Sequence, residues 1–237
     1  MAGDSFLCAL RGPGRSRARL RIVDALSRIP RLVAALCGTP ADMDDARTAS
    51  AADLAASYGT VAVAMHWLLA LLIVCTFLIG LSMVDLPLSP QRLRLFNWHK
   101  WLGVGVLVLS AARLVWRAAG HPPPPLPAHT PVWQQQAYRG THLVFYALFF
   151  LVPLLGWAFT SAIGVPVVWF GVLPLPDFVP RDKPFGEEVL APLHQASSYL
   201  LAAIVCVHVA AAFKHQFVDG DHLMARMWPW WPTRRRA

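Results

Sequence analysis

The stretch Pro192–Phe217, PLHQASSYLLAAIVCVHVAAAFKHQF, decides the fold, because most of it is apolar enough to sit in lipid and yet it carries His194, His208 and His215. Hydrocarbon offers an imidazole neither water nor a hydrogen-bond partner, so ionisable residues in a span are rare and mark function. His208 follows His194 by 14 residues, which is ~21 Å along a helix and about 40° around it. One face of one helix therefore presents two imidazoles at two depths.

Three more blocks of the same kind precede it. Thr60–Met83, Trp98–Trp116 and Thr141–Ala162, with Leu193–Phe213 as the fourth, each approach the ~20 residues that cross a ~30 Å hydrocarbon core. The 237 residues are 56% hydrophobic and 14% charged, too little polar surface for a soluble globule of this size. In lipid each backbone polar group must find its partner inside its own segment, so each block is expected to be helical. The expected fold class is an all-α membrane protein, a four-transmembrane-helix bundle.

Charge sets the expected orientation. Eight arginines precede the first span; Arg113, Arg117 and Arg139 flank the second-to-third connection; Lys214, Arg226, Arg234, Arg235 and Arg236 follow the fourth span. The other two connections hold only Arg92, Arg94, Arg181 and Lys183, with Lys100 at the mouth of the second span. The positive-inside rule then places both termini in the cytoplasm. The net charge of +8 reads as topology, and no basic folded domain suited to nucleic acid is visible. The four cysteines form neither CxxC nor CxxCH, so no disulfide framework or covalent haem attachment is expected.

Residues 1–56 are read as a cytoplasmic N-terminal extension, rich in Ala and Arg and without the apolar core of a signal peptide. Met43, which opens MDDARTASAADLAASYGT, offers an alternative start. Residues 57–229 form the expected membrane domain and 230–237 a basic cytoplasmic tail. Gly120–Pro131, GHPPPPLPAHTP, reads as a polyproline II spacer. Gly164–Pro192 reads as a loop lying at the interface, and MWPWWPTRRRA at the C-terminus as an anchor to anionic lipid.

Depth pairs the histidines. His66 lies near the start of the first span, which enters from the cytoplasm, whereas His99 and His194 open spans that enter from outside. His99 and His194 thus match at the outer level, and His66 and His208 toward the inner level. Two facing imidazole pairs in a helix bundle are what two bis-histidine haems require. Gly80, 14 residues after His66, and Gly103, one turn after His99, supply trimmed positions where a macrocycle passes. Arg113, 14 residues after His99, puts a cation at the inner level for a haem propionate. Each feature alone has an ordinary reading: a hydrogen-bonded bundle histidine, a glycine for close packing, a snorkelling arginine. Four imidazoles at matched depths on three helices favour the haem. His215, seven residues after His208, competes as the inner ligand, but the small residues of VAAAF after His208 leave porphyrin room there. His142 opens the third span, and its expected role is hydrogen bonding. His121, His129 and His222 receive none.

The sequence resembles the bacterial cytochrome b561 family of di-haem membrane cytochromes. The matching stretches are MHWLLALLIV from Met65, HKWLGVGVLVLSAARLVWR from His99, HLVFYALFFLVPLLGWAFTSA from His142, FGVLPLP from Phe170, and LHQASSYLLAAIVCVHVAAAFKHQFVDGDHLMARMWP from Leu193. The resemblance covers roughly Tyr58–Pro229 in the family's order. It implies four helices, two haem b groups, and axial ligands at His66, His99, His194 and His208, with none on the third helix. It also implies a multi-pass protein of the bacterial cytoplasmic membrane and admits superoxide as a donor at the outer face.

With both axial positions filled, an iron has no open site for substrate, which favours electron transfer over bond-making chemistry. The expected function is a di-haem b cytochrome moving electrons across or within the cytoplasmic membrane, to or from quinone such as ubiquinone, with superoxide:quinone oxidoreductase activity left open. Expected partners are membrane lipid, quinone and a redox partner protein, and not nucleic acid. Lys183 and Arg181 would attract superoxide, but Glu187 and Glu188 stand beside them. One competing reading is the cytochrome b anchor subunit of a multi-subunit dehydrogenase. Another is a non-haem proton or metal transporter, which would call for acidic residues inside the spans, where there are none.

Overall fold

The computed structural model describes residues 58–121, 123–124, 126, 130–219 and 223–228. The N-terminal extension, part of the proline-rich spacer and the basic tail lie outside the described residues, as do His129 and His222.

The long helices are α1 (Thr60–Val84), α2 (Pro90–Ala118), α3 (Val132–Ala162) and α4 (Ala191–Lys214). Among the described residues four helices are long and apolar enough to cross a membrane, the fourth counted as Lys183–Asp219. They run up and down in chain order, with α1 on α2, α2 on α3 and α3 on α4. Most of their apolar surface points outward: Leu71 is 59% and Val207 68% exposed, and only Val63 and Leu69 of α1 are buried. A soluble bundle would bury such a face, whereas a bundle solvated by hydrocarbon need not.

Two helices begin earlier than the apolar blocks suggested. The Ser89 hydroxyl accepts from the Arg92 N–H at 3.2 Å and Pro90 occupies the first turn, a cap and a pre-set φ that start α2 eight residues before the lipid-soluble part. Arg92 and Arg94 therefore stand on a helical turn rather than in a loop. At α3 the polar VWQQQAYRG is helical from Val132 onward.

The expected 164–192 interface loop is shorter and more structured than a loop. Strands β1 (Val168–Trp169) and β2 (Leu173–Pro174) pair antiparallel, Val168 with Pro174 and Trp169 with Leu173. Phe170 and Gly171 carry φ of 51° and 75° at the tip; Gly tolerates this conformation and Phe does so at a cost. Two tryptophans fasten the hairpin to α2: Trp101 Nε1 donates to the Val168 carbonyl at 2.7 Å, and Trp169 Nε1 to the Trp101 carbonyl at 3.1 Å. The Asp182 carboxylate caps Phe185 N–H at 3.0 Å, and the chain is helical from Lys183 through a π-helical stretch, Gly186–Leu190, into α4. A Cβ at Gly186 would lie 2.9 Å from Ile163 Cγ2, so the glycine permits this segment's close approach to the end of α3. A second π-helical stretch, His215–Asp219, follows α4.

The core sits where α3 meets α4: Phe145, Leu148 and Leu201 form one buried cluster and Ala158, Ala162 and Leu190 another. The ends are tied by polar bonds. Tyr58 and Tyr138 hydroxyls meet at 3.1 Å, and Trp67 Nε1 donates to the Met227 carbonyl at 2.7 Å.

Candidate functional site

His99, nearly three turns into α2, and His194, in the first turn of α4, come together. Their ring centroids are 6.0 Å apart and their planes are nearly perpendicular, at 87°. His99 Nδ1 donates to the Thr76 carbonyl of α1 at 2.9 Å, and His194 Nδ1 to the Val152 carbonyl of α3 at 3.0 Å. Each bond fixes the tautomer and leaves Nε2 as a free lone pair. All four helices thus contribute, two supplying rings and two supplying carbonyls. An imidazole nitrogen binds a transition metal at ~2 Å and lies roughly 1 Å from its ring centre, so two opposed ligands of one metal set their centroids about 6 Å apart. The outer couple has the separation that two imidazole ligands of one iron would show.

Glycines clear the space around both rings. A Cβ at Gly80 would meet His99 Cε1 at 3.1 Å and Nδ1 at 3.4 Å. Gly80 therefore leaves room for the imidazole itself, beside the path it is expected to clear for a macrocycle. On the opposite side a Cβ at Gly156 would meet His194 Cε1 at 3.0 Å and Nδ1 at 3.2 Å. Gly156 escaped the sequence reading because α3 was assigned no ligand. A Cβ at Gly103 would meet nothing within 4 Å.

At the other end of the bundle three imidazoles gather where two were expected. His142 lies 5.8 Å from His208, centroid to centroid, at 85°, and its Nδ1 donates to the Tyr138 carbonyl at 2.7 Å. The edge of Phe145 also abuts His208, at 5.3 Å. His66 stands within electrostatic range of His208, His142 and Arg113, beside Trp67 at 5.5 Å. His142 makes the hydrogen bond expected of it, and in addition it faces His208, its Nε2 without a partner among the described residues. His215 is engaged elsewhere: its Nδ1 is 3.2 Å from Asp219 Oδ2, beside the Lys214–Asp219 pair at 2.6 Å. His121 stacks on Trp116 at 3.9 Å.

Above the outer couple, Lys100 Nζ donates to the Pro166 carbonyl at 3.0 Å and lies over the Phe96 ring. Lys183 is paired with Glu187 at 3.7 Å, both exposed. Among the described residues, no three His, Cys, Asp or Glu side chains converge as a bare metal ion would need.

Residues 57–230 match the family described as prokaryotic cytochrome b561. The chain is similar to cytochrome b561 homolog 2 of Escherichia coli (strain K12), 30% identical over 177 residues, covering 72% of this chain and 90% of that protein. It is similar to the probable superoxide oxidase CybB of Yersinia pestis, 28% identical over 184 residues, 73% of this chain and 96% of that protein. Cytochrome b561 homolog 1 of Escherichia coli (strain K12) is 25% identical over 166 residues, 70% of this chain and 93% of that protein. The chain belongs to the prokaryotic cytochrome b561 family, and is a haem b-binding electron-transport cytochrome with four spans in the bacterial inner membrane.

Proposed function

We propose that the protein is a di-haem b cytochrome that passes electrons across or within the cytoplasmic membrane and exchanges them with quinone. In this reading His99 and His194 hold the outer haem, His66 and His208 the inner one, and both termini are cytoplasmic by the charge asymmetry of the connections. The observation that carries it is the His99–His194 couple, perpendicular rings 6.0 Å apart with both Nδ1 atoms bonded to backbone carbonyls.

When bound, the haems supply one-electron redox chemistry with no open iron position. The chain's residues do the positioning. The Thr76 and Val152 carbonyls hold the rings and raise their basicity as ligands. Gly80 and Gly156 leave those rings their space, and Trp101 and Trp169 close the hairpin over that end. Arg113 brings a positive charge to the inner cluster, which favours the electron-richer state. His142 stands against His208 as a neighbour able to hydrogen-bond through Nε2.

The similarity to a probable superoxide oxidase supports a second, finer reading in which superoxide donates at the outer face. Lys183 is offset by Glu187, but Arg181, near Gly164, has no acidic partner among the described residues. A transporter of bare metal would call for acidic residues inside the spans, and helices α1 to α4 carry none.

The test is reconstitution in liposomes with or without ubiquinone, following the haem absorbance anaerobically with ubiquinol and then with an enzymatic superoxide source. Ubiquinol should reduce the haems, and superoxide-driven reduction should decay faster when ubiquinone is in the bilayer. Haems that ubiquinol reduces and superoxide leaves oxidised would remove the superoxide reading. Haems that neither touches would remove the quinone reading.

A further inference from the structure

We propose that Tyr58, Arg117 and Tyr138, together with Arg113, form a half-buried cradle for the propionate carboxylates of the inner haem. The inference rests on the two-haem reading above and adds to Arg113 three residues that reading leaves without a role, Tyr58, Arg117 and Tyr138.

The first observation is a charge imbalance. Helices α1 to α4 contain no Asp or Glu, and the ion pairs among the described residues are Lys183–Glu187, Lys214–Asp219 and His215–Asp219. Arg113 and Arg117 thus have no acidic partner there. A guanidinium cannot shed its charge, so two of them at one end of a bundle call for an anion.

The second is a count of unused donors. Arg117 Nε is buried and has no hydrogen-bond partner, while its Nη1 donates to the Tyr146 hydroxyl at 3.4 Å and the guanidinium lies over that ring. The side chain is therefore held in place with one N–H left over. The Tyr58 and Tyr138 hydroxyls face each other at 3.1 Å. Only one can donate to the other, so the second proton has no acceptor among the described residues. Burial, and then Tyr138, push the Tyr58 hydroxyl above its ordinary range, so it stays a donor. Leaving the buried Arg117 Nε unmet costs free energy, and the half-buried hydroxyl adds to that cost.

The third is location. Tyr58 lies within electrostatic range of Arg117 and Arg113. His142, which faces His208, lies within range of the same two arginines. Cations and spare donors with no acceptor fit a group that only accepts and carries negative charge, namely a carboxylate or a phosphate. The inner haem brings carboxylates to this level, whereas a lipid headgroup would bring phosphate, and a quinone oxygen would bring an acceptor without fixed charge.

The experiment uses full-length protein in detergent carrying His194→Ala, so that the inner haem alone is read. Arg117→Leu should lower its midpoint potential and speed haem transfer to apomyoglobin roughly tenfold or more, from loss of a charge-assisted hydrogen bond. Arg117→Lys should restore part of both, and Tyr58→Phe should speed transfer by a smaller factor with the fold intact. Unchanged potential and transfer in Arg117→Leu and Tyr58→Phe would overturn the proposal. So would loss of bound phospholipid phosphorus alone, or loss of ubiquinol-driven reduction alone, which would assign the cradle to a headgroup or a quinone. A His194→Ala protein without any haem, from a parent binding only one, would overturn the two-haem reading and this inference with it.

Discussion

Gly156→Ala isolates the outer couple more sharply than removal of a ligand. The new methyl carbon would stand 3.0 Å from His194 Cε1, 3.2 Å from Nδ1 and 3.6 Å from Nε2. The ring must give by a few tenths of an ångström, and it is tethered at 3.0 Å to the Val152 carbonyl. Alanine in place of a helix-interior glycine normally stabilises by ~1 kcal/mol, and weakening one such hydrogen bond costs about 1 kcal/mol. The two nearly cancel, so thermal stability of the apoprotein should scarcely change. Ligand geometry has less room, because a ring held at Nδ1 yields by pivoting, which carries Nε2 further than Cε1, and a functional constellation tolerates only ~0.5 Å and about 10–20°. Haem content should fall from two toward one per chain, and the remaining outer haem should show high-spin absorbance. Gly80→Ala should act on His99 in the same way, at 3.1 Å. Gly140→Ala, whose Cβ would meet nothing within 4 Å, is the control and should keep both haems. Two low-spin haems with unchanged potentials in both Gly80→Ala and Gly156→Ala would refute the reasoning.

In the inner cluster, His208→Ala and His66→Ala should each cost one haem while His215→Ala and His142→Ala keep both; haem loss in His142→Ala with retention in His66→Ala would move the inner ligand onto α3. Trp101→Phe and Trp169→Phe each remove one indole bond between the hairpin and α2 and should lower stability by about 1 kcal/mol, read as a fall in melting temperature with both haems bound. Tyr58 holds its proton more tightly when folded than its ordinary 10.0. Its contribution is therefore whole below pH 10 and declines as pH rises above that value. Tyr58→Phe should flatten the alkaline loss of stability, and an unaltered profile would count against the burial argument.

The four spans were legible because lipid demands composition more than pattern, and their blocks run unbroken from Thr60, Trp98, Thr141 and Leu193. The His99–His194 meeting was legible for a related reason: span direction and depth fix which residues can face one another. Helix starts were not, since the Ser89–Pro90 cap and the polar turns after Pro131 extend α2 and α3 into water, where hydropathy gives no signal. The Trp101–Trp169 clasp stayed hidden because it joins residues 68 apart through backbone carbonyls, which carry no side-chain signature. Gly156 was missed for lack of a partner on its own helix, and His142 was seen only as a hydrogen-bonding residue, because its approach to His208 depends on how α3 rotates against α4.

The most direct measurement of the central claim is a haem-to-polypeptide ratio by pyridine haemochrome, joined to a spin-state assignment, on the intact protein and on His99→Ala. The account requires two low-spin haem b groups in the former and one in the latter. An intact protein with no haem, or a His99→Ala protein that keeps two low-spin haems, would contradict it.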